Sequence, residues 1–276
     1  MNHRPLWRAP LDETMQRAVA QLRATGFARF EAAQSRDLLG LPLECFGPYT
    51  ESWERLDPDE WMGDGGTYRR RRFATFSVEG GTIVRKPHQR HYQSRLHNQL
   101  NGGVDRWFSP VEPKIADHPI THGLLSLGTS LAYRITDTAE THWHGEMHQF
   151  RIEGKAFERA TPTPEGLHRD GVTLVIMMLI DRRNMLGGVT GIRDSEGRNL
   201  ADLELASPFE MVVVDDRRLQ HVVTPIKPIK SPESAVRDAL VLTFRPEMAD
   251  HISDASTLSR RRQSAKLMFA RENIEE

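Results

Sequence analysis

Arg237-Asp-Ala-Leu-Val-Leu-Thr-Phe-Arg245 alternates without a break. Successive side chains of an extended chain point to opposite sides. Leu240, Leu242 and Phe244 therefore share one face, suited to packing beneath helices. Arg237, Ala239, Val241, Thr243 and Arg245 share the other. An arginine that faces into a barrel is costly without an anion to meet it. The stretch reads as a late core strand with a basic inner face.

The same grammar extends backwards to about Met147. Segments 148–153, 172–180, 190–193, 203–205, 211–214 and 222–225 are short and β-branched. Gly187-Gly188, Ser195-Glu-Gly197, Asp215-Asp216 and a Pro/Lys loop at 225–233 separate them. Many short strands at regular spacing argue for a sandwich or jelly roll. Upstream the pattern differs. Residues 12–25 read as a helix that Asp12 caps and Gly26 ends. Residues 117–133 read as another, with Ile120, Leu124, Leu127 and Leu131 on one stripe. Segments 73–78 and 82–85 flank the turn Gly80-Gly81. Residues 36–66 give no ordered reading. The expected fold is mainly β with flanking helices. One domain covers 1–276: a largely helical or mixed part at 1–135 supports a sandwich or jelly-roll core at 147–245, and a polar helical tail follows at 253–276.

The chain has 276 residues, 38% hydrophobic and 27% charged, which is enough to build a packed core and too apolar for global disorder. Its formal net charge is −1, which gives no electrostatic case for nucleic acid or a membrane surface. Cys45 is the one cysteine, so an internal disulfide framework and an all-cysteine zinc site are excluded. The start lacks the apolar stretch of a signal peptide. The longest apolar run, 172–180, falls far below the roughly 18 residues of a membrane span. The expected setting is cytoplasmic, with a small-molecule substrate and neither nucleic acid nor membrane as partner; a homodimer is the assembly held open.

Glu165-Gly-Leu-His-Arg-Asp-Gly171 carries the chemistry. His168 and Asp170 are two apart and point to one side of an extended segment, and Gly171 permits a turn that draws them together. His221 follows 53 positions after His168, within reach where distant strands of a jelly roll lie side by side. His-x-Asp alone is a weak signal. Two imidazoles and one carboxylate are nonetheless the set that holds a non-haem ferrous ion on one face and leaves the other open. A dicarboxylate chelating that ion would offer its distal end to a guanidinium fork. Arg237 is the first choice for this role and Arg245 the alternative.

The stretch from about 147 to 245 resembles the iron(II)/2-oxoglutarate dioxygenase superfamily, and more narrowly the bacterial L-isoleucine 4-hydroxylase-like group that oxidises free amino acids. The resemblance rests on Gln149-Phe-Arg-Ile152, Pro164-Glu-Gly-Leu-His-Arg-Asp-Gly171, Asp181-Arg-Arg-Asn184, Val214-Asp-Asp216, His221-Val-Val-Thr-Pro225 and the strand from Arg237. Upstream, Gln93, Asn98, Gly102-Gly103 and Arg106-Trp-Phe108 add to it. It implies a double-stranded β-helix (jelly-roll, cupin-like) core. It implies Fe(II), 2-oxoglutarate and O2 as cofactors, with succinate and CO2 released as a free amino acid or related metabolite is hydroxylated. It makes His168, Asp170 and His221 iron ligands and gives the cosubstrate tail to Arg237. Many members have Arg-x-Ser at that place. Ala239 stands here instead, so Thr224, Thr243 or Gln149 is left to supply the missing hydrogen bond.

For a substrate, Arg106, Arg151 and the run Arg69–Arg72 are the basic candidates. His142, His144, Glu146 and His148 would share a face on a strand, the makings of a second metal site, although Gly145 interrupts them and ordinary core or surface histidines are the preferred reading. Two other functions stay open: a 2-oxoglutarate oxygenase acting on protein or nucleic acid, and a non-oxidative cupin-like metal-binding protein.

Overall fold

A computed structural model describes residues 12–136, 142–155 and 160–247. The chain divides into two units, Met1–Pro246 and Glu247–Glu276. Of the second, only Glu247 lies within the described residues, so the expected tail helix at 253–276 falls outside them.

Among the described residues five α-helices are α1 Glu13–Thr25, α2 Ala32–Leu39, α3 Phe46–Thr50, α4 Pro113–Ala116 and α5 Pro119–Thr136. The strands of the first half are β1 Phe27–Phe30, β2 Arg69–Glu79 and β3 Thr82–Arg85. Those of the second half are β4 His142–Gly154, β5 Leu174–Arg183, β6 Met185–Gly187, β7 Thr190–Arg193, β8 Asn199–Leu203, β9 Met211–Asp215, β10 Gln220–Val223, β11 Ile226–Pro228 and β12 Ala235–Pro246. A seven-stranded sheet runs β1-β9-β5-β12-β4-β2-β3, every neighbouring pair antiparallel. Two small sheets, β10-β7-β8 and β11-β6, complete the double-stranded β-helix.

Alternation decides which face of the large sheet meets which layer. Leu240, Leu242 and Phe244 of β12 pack with Leu174, Ile176 and Met178 of β5 in one core, against Ile120, Leu124, Leu127 and Leu131 of α5. The stripe expected at 117–133 is therefore the stripe that is buried. Asp12 caps α1 through its side chain, and Gly26 ends it in the left-handed region, as the sequence suggests. Trp53, fully buried, donates from Nε1 to the carbonyls of Phe150 and Ala239 and so fixes the helical layer to β4 and β12. On the opposite face Val175, Met177, Val212 and Val214 pack against Ile192 and Leu219, and Ile152 packs with Met185, Ile226 and Ala235. The large sheet thus has a dry face under helices and an inner face shared with the small sheets.

Three strands of the N-terminal half join the large sheet: β1 at one edge, β2 and β3 at the other. The strand expected at 203–205 lies earlier, at Asn199–Leu203. Three of its five residues are exposed, because β8 is an edge strand; it pairs with β7, whose Arg193 also reaches Asn199 and Asp202. Among the described residues no helix is long and apolar enough to cross a membrane.

Candidate active site

The inner face of β12 supplies one wall of a cavity of about 340 Å³, to which Arg237, Ala239, Val241, Thr243 and Arg245 all contribute. The side-chain alternation read from the sequence holds along the whole strand. Arg237 is 5% exposed, and its guanidinium has no hydrogen bond or ion pair with any described residue. Burial, with Arg182 nearby, pushes its pKa down to about 10. A buried cation without a partner is a defined demand for an anion. Arg245, at the far end of the strand, is exposed. Thr243 is buried and sits opposite Glu146 of β4.

β4 presents Glu146, His148, Phe150 and Ile152 to the same cavity. Gln149 and Arg151 belong to the other parity, and the expectation that they face the site is corrected. Gln149 is buried with its Nε2 donating to Ser52 Oγ at 2.8 Å. The guanidinium of Arg151 is held by Asp238 at 2.6 and 2.7 Å and by Glu54. That ion-pair cluster ties β4 to β12 on the helical side. Thr224 also lies off the cavity lining and accepts from the Val189 amide at 3.0 Å.

His168 and His221 face each other across a two-residue antiparallel bridge, each amide donating to the other's carbonyl at 3.1 and 2.9 Å. This backbone clasp brings the two rings to a centroid distance of 4.4 Å. Asp170 completes the group: Oδ1 lies 3.7 Å from His168 Nε2, and Oδ2 lies 3.7 Å from His221 Nε2. One ligand atom from each of the three lies within 4.8 Å of the others. Adjacent ligands at about 2.1 Å from a metal lie roughly 3 Å apart, so a shift of under about 1 Å closes the set on an ion. His168 Nδ1 donates to the Gly166 carbonyl at 2.9 Å, which leaves the Nε2 lone pair for a metal. Burial opposes protonation of both rings. At His221 it prevails, and the pKa falls to about 4; at His168 the charges of Asp170 and Glu165 outweigh it and raise the pKa.

Two supports were not singled out from the sequence for what they do. Asp216 accepts from the amides of Asp170, Gly171 and Val172 at 3.0, 2.8 and 3.0 Å. It pins the turn that presents Asp170, and burial together with the Asp170 charge raises its own pKa to about 6. The doubled Asp215-Asp216 was the available signal, and it reads as a turn. Gln93 Nε2 donates to Asp170 Oδ1 at 3.3 Å and is itself oriented by Asn98 at 3.1 Å.

A second group lines the same cavity: His91, Glu146 and His148, also with ligand atoms within 4.8 Å. The four residues expected to share a face of β4 do not all belong to this group. His142 bonds Ser77 at 2.7 Å instead, His144 reaches Glu146 at 3.2 Å as well as Lys86 at 2.9 Å, and His91 arrives from a segment without regular structure. The run that opens β2 divides by parity. Arg69 and Arg71 line the cavity with Arg106, whereas Arg70 and Arg72 reach Glu153 and Asp57 outside it.

Residues 50–243 match the family model described as 2OG-Fe dioxygenase. The chain belongs to the 2OG-Fe dioxygenase family. A curated relative, 3(1)-hydroxy-L-isoleucine 4-dioxygenase of Pantoea ananatis (strain AJ13355), is 28% identical over 156 residues, 55% of this chain and 62% of that protein's length. The crystal structure of a bsmA homologue from Methylobium petroleophilum PM1 is 34% identical, with a TM-score of 0.77 over 86% of this chain and 94% of the other. IDO from Bacillus thuringiensis shares the fold at 19% identity, with a TM-score of 0.71 over 85% of this chain and all of that one. The Fe(II)/α-ketoglutarate-dependent dioxygenase TqaL shares it at 16% identity and a TM-score of 0.68, over 88% of this chain and 90% of the other. The cofactors of this 2OG-Fe dioxygenase are Fe(II), 2-oxoglutarate and O2.

Proposed function

We propose that this 2OG-Fe dioxygenase hydroxylates a free L-amino acid or a close metabolite, with His168, Asp170 and His221 holding iron and Arg237 seating 2-oxoglutarate. The observation that carries the assignment is the cavity that joins the three ligands to an unpaired, buried guanidinium. The donor set fits a ferrous ion: two neutral nitrogens, one carboxylate and an open side. Bound there with 2-oxoglutarate, the ion supplies O2-dependent oxidation of a C–H bond, with succinate and CO2 as coproducts.

The residues of the chain position and enclose. The backbone clasp at His168 and His221 sets the spacing of the imidazoles. The Gly166 carbonyl fixes the tautomer of His168, and Gln93 orients Asp170. Arg237 pairs with the distal carboxylate of the keto-diacid and fixes its direction. Thr243 lines the same wall and offers a hydroxyl in place of the serine that Ala239 replaces. Val241, Val172 and Met177 give an apolar lining that excludes water. A cavity of about 340 Å³ lies in the ordinary small-molecule range of roughly 300–1,000 Å³. The curated relative that acts on a hydroxy-isoleucine supports an amino-acid substrate. The test is succinate release from the iron-loaded protein across a panel of free L-amino acids, with mass spectrometry for a gain of one oxygen. Turnover with peptides or oligonucleotides alone would move the assignment to a macromolecular substrate.

A further inference from the structure

A second wall of the cavity is organised around Glu146, and its hydrogen-bond polarity differs from that of the triad. Arg71 Nη2 lies 2.8 Å from His148 Nδ1, Arg106 Nη2 lies 3.0 Å from His91 Nδ1, and Lys86 Nζ lies 2.9 Å from His144 Nδ1. A guanidinium or ammonium can only donate, so each of these Nδ1 atoms accepts. In a neutral ring the proton then sits on Nε2. Every one of the three Nε2 atoms faces Glu146: His144 at 3.2 Å from Oε1, and His91 and His148 each at 3.5 Å from Oε2. Three cation–imidazole relays thus converge on one carboxylate. Burial lowers the pKa of both His91 and His148, the latter to about 3, so both stay neutral. Burial opposes ionisation of Glu146, but the N–H donors hold its carboxyl well below the usual range.

This polarity decides against a metal at His91, Glu146 and His148. The two imidazoles turn N–H bonds, not lone pairs, toward the centre of the group. Reversing either would set a ring N–H against an arginine N–H. At His168 the arrangement is opposite, with Nδ1–H on a carbonyl and the Nε2 lone pair turned inward.

The wall also carries an excess of positive charge. Arg69 is bonded to Asp59 at 2.7 Å. Arg71 stacks on Phe108 at 3.6 Å, and Arg106 lies over the same ring at 5.4 Å. With Lys86 these are four cations against three carboxylates, Asp59, Glu146 and Glu165, the last of which also lines the cavity and acts on Arg106. Nε of Arg71, Nε of Arg106 and Nη2 of Arg69 are buried without a partner. Burying like charges this closely is unfavourable unless an anion arrives. Beside them stands one shielded carboxylate suited to a cation.

We infer that Arg71, Arg106 and Glu146 form the receptor for the zwitterionic head of a free α-amino acid, the carboxylate meeting the two guanidinium groups and the ammonium meeting Glu146. The inference rests on the proposed reading of the cavity as the site of a free-amino-acid 2-oxoglutarate dioxygenase and adds the residues that recognise the substrate. The cavity then has two carboxylate stations, Arg237 for the cosubstrate and Arg71 with Arg106 for the substrate. Phe150, Ile152 and Met177 line the space left for an aliphatic side chain.

The experiment uses the full-length protein with Fe(II) and 2-oxoglutarate. Succinate release is measured with the twenty common L-amino acids, and with the decarboxylated amine and the deaminated acid of each. At least one amino acid drives turnover, and its amine and acid fall at least tenfold short. Arg106→Gln and Glu146→Gln each raise the KM of that amino acid at least tenfold, while Kd for 2-oxoglutarate stays within twofold. Arg237→Gln shows the reverse split. Iron per chain is measured in every variant; it stays at one, which also reports a folded protein, and the near-isosteric Glu146→Gln carries the test if Arg106→Gln does not fold. An acid or amine as effective as the amino acid, an unchanged KM in Glu146→Gln, or no active amino acid in a protein that binds iron and 2-oxoglutarate would overturn the receptor. So would two bound ions per chain with the second lost in Glu146→Gln. A wild-type protein that binds neither iron nor 2-oxoglutarate fails at the earlier step, and the reading of the site falls with the receptor.

Discussion

Single side chains carry the sharpest consequences. His168→Ala and Asp170→Ala each remove a donor from a three-ligand set, and turnover falls to background in both, read as succinate release. On the proposed seating of 2-oxoglutarate, Arg237→Gln leaves its distal carboxylate without a charge partner. Loss of one member of a buried charged pair costs about 2–5 kcal/mol, so the 2-oxoglutarate KM rises on the order of 30-fold or more. The amino-acid KM changes little; equal effects on both would mean that Arg237 serves the substrate instead. The clustering of the three candidate ligands and the inward position of Arg237 were legible because they are written in short patterns: His-x-Asp with a distant histidine, and an arginine on an apolar inner face. Arg151 was misread for a physical reason. Both faces of β4 carry polar groups, so alternation alone does not tell which parity is inside, and Asp238, which neutralises Arg151, lies 87 residues away. His91 had no periodic neighbour to mark it, since the segment from Lys86 to Phe108 has almost no regular structure.

At the scale of elements, the turn that presents Asp170 depends on one buried acceptor. Asp216→Ala strands three amides, at a cost of about 1–3 kcal/mol in stability. It also loosens a supporting contact of the ligand set, and iron affinity falls about 10- to 100-fold in a metal titration. The seating of α5 on the sheet makes a second case. A Cβ built at Gly128 meets the Phe244 ring at 2.1 Å. Gly→Ala in a helix ordinarily gains up to about 1 kcal/mol, whereas overpacking a filled core costs about 1–3 kcal/mol. The overpacking prevails, and Gly128→Ala lowers the melting temperature; a rise would show that Phe244 turns aside freely. The α5 stripe and β12 were readable because their two faces differ in chemistry. β1, four residues just after Gly26, was not, because so short a strand has no period of its own and owes its place to pairing with β9.

For the whole molecule, the cavity joins parts that are far apart in sequence. His91 and Arg106 come from the irregular segment, Arg71 from β2, Glu146 from β4, His168 from the loop bridged to His221 of β10, and Arg237 from β12. Ligands that bind only this assembled state stabilise all of it. With iron and 2-oxoglutarate at about 100 times Kd, the native state gains about 2.7 kcal/mol from each, and the melting temperature rises accordingly. The N-terminal half was expected to support the core, with strands at 73–78 and 82–85 and basic candidates at Arg106 and Arg69–Arg72; it provides these and a third strand of the large sheet, β1. The central claim is that His168, Asp170 and His221 are the iron ligands and that 2-oxoglutarate sits against Arg237. Anaerobic titration of the wild type and of Asp170→Ala with Fe(II), followed by 2-oxoglutarate, tests it most directly. One iron and one 2-oxoglutarate per wild-type chain, with both lost in Asp170→Ala, is the expected result; an Asp170→Ala protein that keeps its full complement of iron would contradict it.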